Sequence, residues 1–205
     1  MRFTDVPLRR SIPAGALAYV VGYLATYLAV GPRTETLLRE ATVTLPYGGG
    51  TQSLLGTVSP APETWKAVGW FFHSAQWSKL VNPQASGGTF QVNLVASAGG
   101  QYQALYLVAP VVLLVAGYLA ARTGPTFGVR GEDYAGASVV LGYLPCTAAG
   151  GLLFTVGQPA VGPDLFSTVF VAGVGYPFVF GWLGGWIARM RGNAAETTES
   201  PEPGA

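Results

Sequence analysis

Four stretches of this chain, Ile12–Val30, Ala104–Ala121, Tyr134–Val156 and Leu165–Ile187, contain no Asp, Glu, Lys, Arg or His. A hydrocarbon core of about 30 Å takes about 20 apolar residues at 1.5 Å each. The third and fourth runs exceed that length. The first two are slightly short, and Tyr102 and Tyr106 extend the second into an interface. Lipid offers no partner to backbone N–H and C=O groups, so each run is predicted to be a helix.

Composition agrees with lipid as the solvent. The chain is 50% hydrophobic and 10% charged, against about 25% charged in soluble domains. Its net charge of +1 gives no electrostatic footprint for a nucleic-acid partner. One cysteine, Cys146, excludes an intramolecular disulfide and cysteine-based metal clusters. One histidine, His73, excludes multi-histidine metal sites. No cofactor is expected.

The first run follows Arg2, Arg9 and Arg10 and resembles a signal segment in that respect. It is longer than a signal h-region, carries three tyrosines and ends in "LAVGPR" without a clear cleavage site. It is read as a span.

Orientation follows from Arg and Lys in short flanks. Arg2, Arg9, Arg10, Arg122, Arg130, Arg189 and Arg191 all fall on one side of a chain that crosses four times. The short turn "GQPAVGPD" opposite has no basic residue. The expected layout is a cytoplasmic N-terminus (1–11), spans at 12–30, 104–121, 134–156 and 165–187, an outer loop at 31–103, a cytoplasmic loop at 122–133, an outer turn at 157–164 and a disordered cytoplasmic tail at 188–205. The fold class is an all-α membrane protein, a four-transmembrane-helix bundle with a small extracellular α+β cap.

The cap carries its own signals. "RTETLLREA" reads as two helical turns. "ATVTLP", "TQSLLGTVS" and "GTFQVNLVAS" read as strands, the first two joined by a turn at "YGGG". Between them "WKAVGWFFHSAQW" holds three of five tryptophans and the lone histidine. A helix over 62–80 is expected, with Pro62 in its first turn and Ser59 as cap. It is too short to span. Val68, Phe71, Phe72 and Ala75 share one face, with Lys66 and His73 opposite, flanked by Trp70 and Trp77. Tryptophan favours the headgroup level, so the helix is placed on, or tucked into, the outer surface of the bundle. His73 is read as a surface or hydrogen-bonded residue, with a proton-sensing or ligand role as the sharper alternative.

Within the spans, small residues recur every four positions: Ala14, Ala18, Gly22 and Thr26; Ser138, Gly142, Cys146 and Gly150; Gly173, Pro177, Gly181 and Gly185. This spacing keeps them on one face, where close backbone approach supplies the contact energy that lipid does not. They predict a tight helix core or a dimer seam. Tyr19, Tyr23 and Tyr27 form a second stripe. It is read as one interfacial ring and two hydroxyls bonded to neighbouring helices, with a polar path as the alternative. Pro110, Pro145 and Pro177 free the carbonyls of Tyr106, Leu141 and Gly173. Such kinks mark binding sites in transporters and also occur in ordinary spans.

"VGYLATYL", "WKAVGWFFHSAQW", "VVLGYLPCTAAGGLLF" and "AGVGYPFVFGWLGG" together resemble a family of uncharacterised haloarchaeal membrane proteins, over most of residues 11–187. The resemblance implies four spans and an outer aromatic helix, here at Val68-Gly69-Trp70. Some members are loosely labelled transporters. The family supplies no catalytic or binding residues.

No nucleophile–base pair and no charged group lies within a span, so no enzymatic activity is expected. Two functions fit: a structural or accessory membrane protein acting through contacts of the cap or a helix seam, or a facilitator of an uncharged or lipid-like solute. The candidate functional surface is Trp65, Trp70, His73, Trp77, Tyr19, Tyr23, Tyr27, Pro145 and Pro177. The candidate packing residues are Gly22, Gly142, Cys146, Gly150, Gly173, Gly181 and Gly185. The expected partners are the bilayer and either another copy of the chain or a membrane partner protein.

Overall fold

A computed structural model describes residues 8–44, 50–83, 89–122 and 136–198. Arg2, Arg130, Glu132 and Asp133, and most of the "YGGG" turn, lie outside the described residues.

The chain is mostly helical. Helix α1 covers Leu8–Val30 and runs through a short 3-10 turn into α2, Thr34–Glu40. Helix α3 covers Thr64–Ser74 and α4 Leu94–Ala98. A 3-10 segment, Gly100–Leu107, leads into α5, Val108–Arg122. Helix α6 is Val140–Leu153. One helical turn at Leu165–Ser167 and a π-helical stretch at Thr168–Gly175 lead into α7, Tyr176–Thr198. The helix therefore continues well beyond residue 188, where a disordered tail was expected.

Three continuous helical stretches are long and apolar enough to cross a membrane: Ser11–Glu40, Gly100–Arg122 and Leu165–Arg191. The third predicted span is shorter than its charge-free run. Helix α6 has 14 residues, about 21 Å at 1.5 Å each, less than the ~30 Å of a hydrocarbon core. Past Leu153 the chain leaves the helix to pair Val156 with Val161 in a β-bridge.

Helix α1 packs against both α5 and α6, α5 packs against α7, and the π-helical stretch packs against α6. This closes a four-membered ring. Its centre is filled by Ala18, Tyr19, Leu113, Ala116, Ala120, Val139 and Tyr143, together with Phe72 from α3.

The glycine stripes are used inside this ring. A Cβ on Gly142 would fall on the carbonyl oxygen of Ile12, and one on Gly15 would fall on that of Val139, so α1 and α6 touch backbone to backbone. A Cβ on Gly181 would meet the carbonyl of Gly136, and one on Gly136 would crowd both Gly181 and Gly185. Gly117 and Gly184 bring α5 against α7 in the same way. Gly22 faces the ring of Phe72, Gly150 the hydroxyl of Tyr19, and Gly173 the side chain of Leu144. Cys146 is a free, partly buried thiol packed on the bundle core.

The cap is α+β. Strands β1 (Thr42–Thr44) and β2 (Thr51–Ser53) pair antiparallel. Strand β3 (Leu80–Pro83) pairs with β4 (Thr89–Val92) on one side and β5 (Gly162–Pro163) on the other, both antiparallel. The segment after α6 thus joins the cap. A second core of Val30, Leu37, Leu54, Val68, Trp70, Phe71, Leu80, Leu94 and Phe154 lies beneath these strands.

Candidate functional site beneath the aromatic helix

Helix α3 links the two cores. It begins at Thr64, with Glu63 at the cap position and no side-chain cap bond, so Ser59 and Pro62 precede the helix instead of starting it. Every residue from Ala67 to Ser74 is buried. The expected single apolar face is corrected: Val68, Phe71 and Ala75, with Trp70, belong to the cap core, whereas Phe72 belongs to the bundle core. Of the two readings of His73, surface or hydrogen-bonded, the structure has the second, with the side chain 0% exposed and beside the Tyr19 hydroxyl. A helix covered on all sides has no polar stripe to read.

Its N-terminal half caps the end of α6. The last carbonyls of a helix lack intrahelical partners. Trp70 donates its indole N–H to the Phe154 carbonyl at 2.6 Å, and Lys66 donates its ammonium to the Thr155 carbonyl at 3.3 Å. Gly69 makes this approach possible, because a Cβ there would strike the Phe154 ring. The Phe154 ring stacks on Tyr23 at 5.7 Å and meets Trp65 and His73 edge-on. Val68-Gly69-Trp70 is thus a docking motif: an apolar contact, a gap for a ring and an indole donor.

Helix α3 and the turn that follows it carry two polar side chains into the bundle. His73 Nε2 lies 3.3 Å from the Tyr19 hydroxyl. Gln76 accepts from the Tyr143 hydroxyl at 2.7 Å through Oε1 and donates to the Phe72 carbonyl at 3.1 Å. The rings of Tyr19 and Tyr143 meet edge-on at 5.5 Å. His73 Nδ1 is buried without a hydrogen-bond partner. Burial pushes its imidazole down from 6.5 to about 3, so it stays neutral. Among the described residues, no three His, Cys, Asp or Glu side chains gather as a metal site.

The tyrosine stripe is divided between three environments. Tyr19 serves His73, Tyr23 donates to the Trp65 carbonyl at 2.9 Å, and Tyr27 is 39% exposed. Trp65 donates its indole N–H to the Glu63 carboxylate and lies under the Lys66 ammonium. Trp77 stands apart from the cluster. It is 63% exposed, has φ of 61° and stacks on Tyr106 at 5.4 Å. That left-handed backbone ends the turn after α3 and turns the indole outward.

The prolines do different jobs. Pro110 is the third residue of α5, just after the 3-10 segment Gly100–Leu107 passes into the α-helix. Pro145 lies inside α6. Pro177 is the second residue of α7, directly after the π-helical stretch. The wider turn accommodates a ring that would otherwise clash with the carbonyl four residues back. Neither Pro145 nor Pro177 joins the His73 cluster.

Sequence reasoning did not single out Phe154, Tyr143 or Gln76. Phe154 and Tyr143 sit in charge-free runs where any aromatic residue looks like span material. Gln76 is the only amide in the aromatic segment, and that is the signal that marked it.

A family model described as a family of unknown function (DUF7978) matches residues 2–192. No curated protein matches the chain, and no solved structure does.

Proposed function

The chain belongs to the DUF7978 family, and from that premise we propose that it is a four-span protein of the cell membrane, with both termini cytoplasmic, that acts through protein contacts. The spans are α1, the Gly100–Arg122 stretch, α6 with its flanks, and the Leu165–Arg191 stretch. Large apolar side chains on their outward faces support the membrane reading: Leu28 is 81% exposed, Leu107 64%, Leu153 61% and Phe166 70%. Water-facing surfaces of single chains rarely hold apolar patches of that extent. Helix α6 is the weakest span by length, and its exposed Leu141, Leu152 and Leu153 favour lipid around it.

One observation favours an accessory role over a facilitator. Phe72, His73 and Gln76 are each 0% exposed, and they close the cap end of the ring between α1, α5 and α6. A solute path along the tyrosine stripe would require α3 to leave. The absence of charged groups at depth among the described residues favours a non-enzymatic role.

The test has two arms. Purified protein reconstituted in liposomes is expected to pass neutral solutes no faster than empty vesicles, and flux abolished by locking α3 to α6 would reverse the assignment. Crosslinking in native membranes is expected to trap a second copy or another membrane protein through the cap or a helix face. A strictly solitary protein that still restores a deletion phenotype would sink the contact role.

A further inference from the structure

At the end of the bundle away from α3, two arginines converge on one phenol. Gly184 lets α7 meet α5 so closely that a Cβ there would press on the Leu114 carbonyl and the Tyr118 amide. Tyr118 is therefore held between the two helix ends. Arg122, one turn later on α5, donates from Nη1 to the Tyr118 hydroxyl at 3.2 Å, with its guanidinium carbon 5.6 Å from the ring centroid. Arg191, on α7, lies over the same ring at 5.8 Å. Both arginines are exposed.

Two like charges held on one neutral ring call for an anion. A phenol oxygen accepts at most a pair of hydrogen bonds, while each guanidinium carries five N–H donors. The ion pair among the described side chains is Arg39–Glu35 on α2; no described carboxylate side chain pairs with Arg122 or Arg191. Contact with one aromatic ring holds the two guanidinium groups near each other, and the planar fork of a guanidinium suits the bidentate geometry of phosphate oxygens.

We propose that Arg122, Arg191 and Tyr118 form a binding site for the phosphate of an anionic lipid headgroup. The assignment rests on the membrane reading above, which puts these helix ends at the cytoplasmic headgroup level. The bilayer supplies phosphates at that depth, and juxtamembrane arginines draw anionic lipid.

The experiment uses the full-length protein in neutral detergent, titrated with phosphatidylglycerol, phosphatidylcholine or inorganic phosphate and read by native mass spectrometry. Phosphatidylglycerol is expected to be retained in preference to phosphatidylcholine. R122Q and R191Q are each expected to weaken retention about five-fold. The double variant R122K/R191K keeps the charge that sets orientation but lacks the planar forks, and is expected to fall clearly below the parent. Y118L is expected to fall with it. Retention unchanged in R122K/R191K and Y118L would reduce the arginines to diffuse surface charge and overturn the site. Inorganic phosphate binding as tightly as phosphatidylglycerol would overturn the lipid assignment. Carbonate extraction separates the two levels: a protein released from membranes removes the membrane reading itself, while an embedded protein without lipid preference removes the site alone.

Discussion

The indole of Trp70 on α3 and the carbonyl of Phe154, the C-cap residue of α6, are joined by a buried 2.6 Å hydrogen bond. It fastens the cap to the bundle, because Trp70 packs in the cap core while α6 is part of the ring. Replacing Trp70 with Phe keeps a ring in place and removes the donor. The Phe154 carbonyl would then be buried without that partner, at about 1–3 kcal/mol. W70F is expected to melt several degrees lower in detergent, whereas Trp65→Phe, at a half-exposed position whose indole bonds only Glu63, is expected to change little. Equal melting temperatures for W70F and the parent would show that the bond does not hold the cap.

The crossing of α1 and α6 depends on Gly142, where an added Cβ would overlap the Ile12 carbonyl. Backbone cannot swing aside as a side chain can, so the helices must part. Overpacking of this kind amounts to about 1–3 kcal/mol or more. G142A is expected to destabilise clearly in thermal unfolding. Gly175→Ala supplies the contrast, since its Cβ would meet the Phe170 carbonyl at an ordinary 3.4 Å. Similar losses for both would remove close packing as the explanation.

Much of the bundle was legible because exclusion of charge is a strong signal and the four-residue spacing of Gly142, Gly150 and Gly181 maps directly onto helix contacts. Gly15, Gly117 and Gly184 carry the same contacts, yet nothing in a chain with 29 glycines separates them from chance. The aromatic helix was harder. Its presence between the strands was readable, but it covers Thr64–Ser74 and not the expected 62–80, and its orientation was inferred from periodicity, which presumes one wet face. With Phe72 in one core and Trp70 in the other, the helix has none. The Tyr143–Gln76 bond joins residues far apart in sequence, and local pattern holds no trace of it. The shortened α6 was hidden for a related reason: the residues beyond Leu153 are apolar because they enter the cap core, as Val156 does, and not because they continue the helix.

Topology gives a further test. Arg122 and Arg191 flank one ring at one end of the bundle, and the cap lies at the other. Cysteines placed singly in a Cys146→Ala background are expected to report this with a membrane-impermeant maleimide on intact cells. A probe at exposed Gln52 in β2 should label. A probe at exposed Met190 in α7 should label only after permeabilisation. Labelling of both from outside would abolish the four-span arrangement, and the reverse pattern would invert it.

His73 is expected to give the molecule an acid-sensitive stability. In the fold its imidazole is pushed by burial from 6.5 down to about 3, and its one hydrogen-bond partner is the neutral Tyr19 hydroxyl. In the unfolded chain it takes up a proton as pH falls through about 6.5, and in the folded chain it does not until far lower. The unfolded state therefore gains protons first. Stability is flat above about pH 7 and declines as pH falls from about 6.5 toward 3, at no more than about 1.4 kcal/mol per pH unit from this group. Carboxylates add their own dependence below about pH 5, so the diagnostic window is pH 5 to 6.5. There the melting temperature of the parent should drop with acidification while that of His73→Gln stays level. Parallel slopes for the two proteins would mean that His73 is hydrated and free to protonate in the fold, and that the seal between α3 and Tyr19 is open.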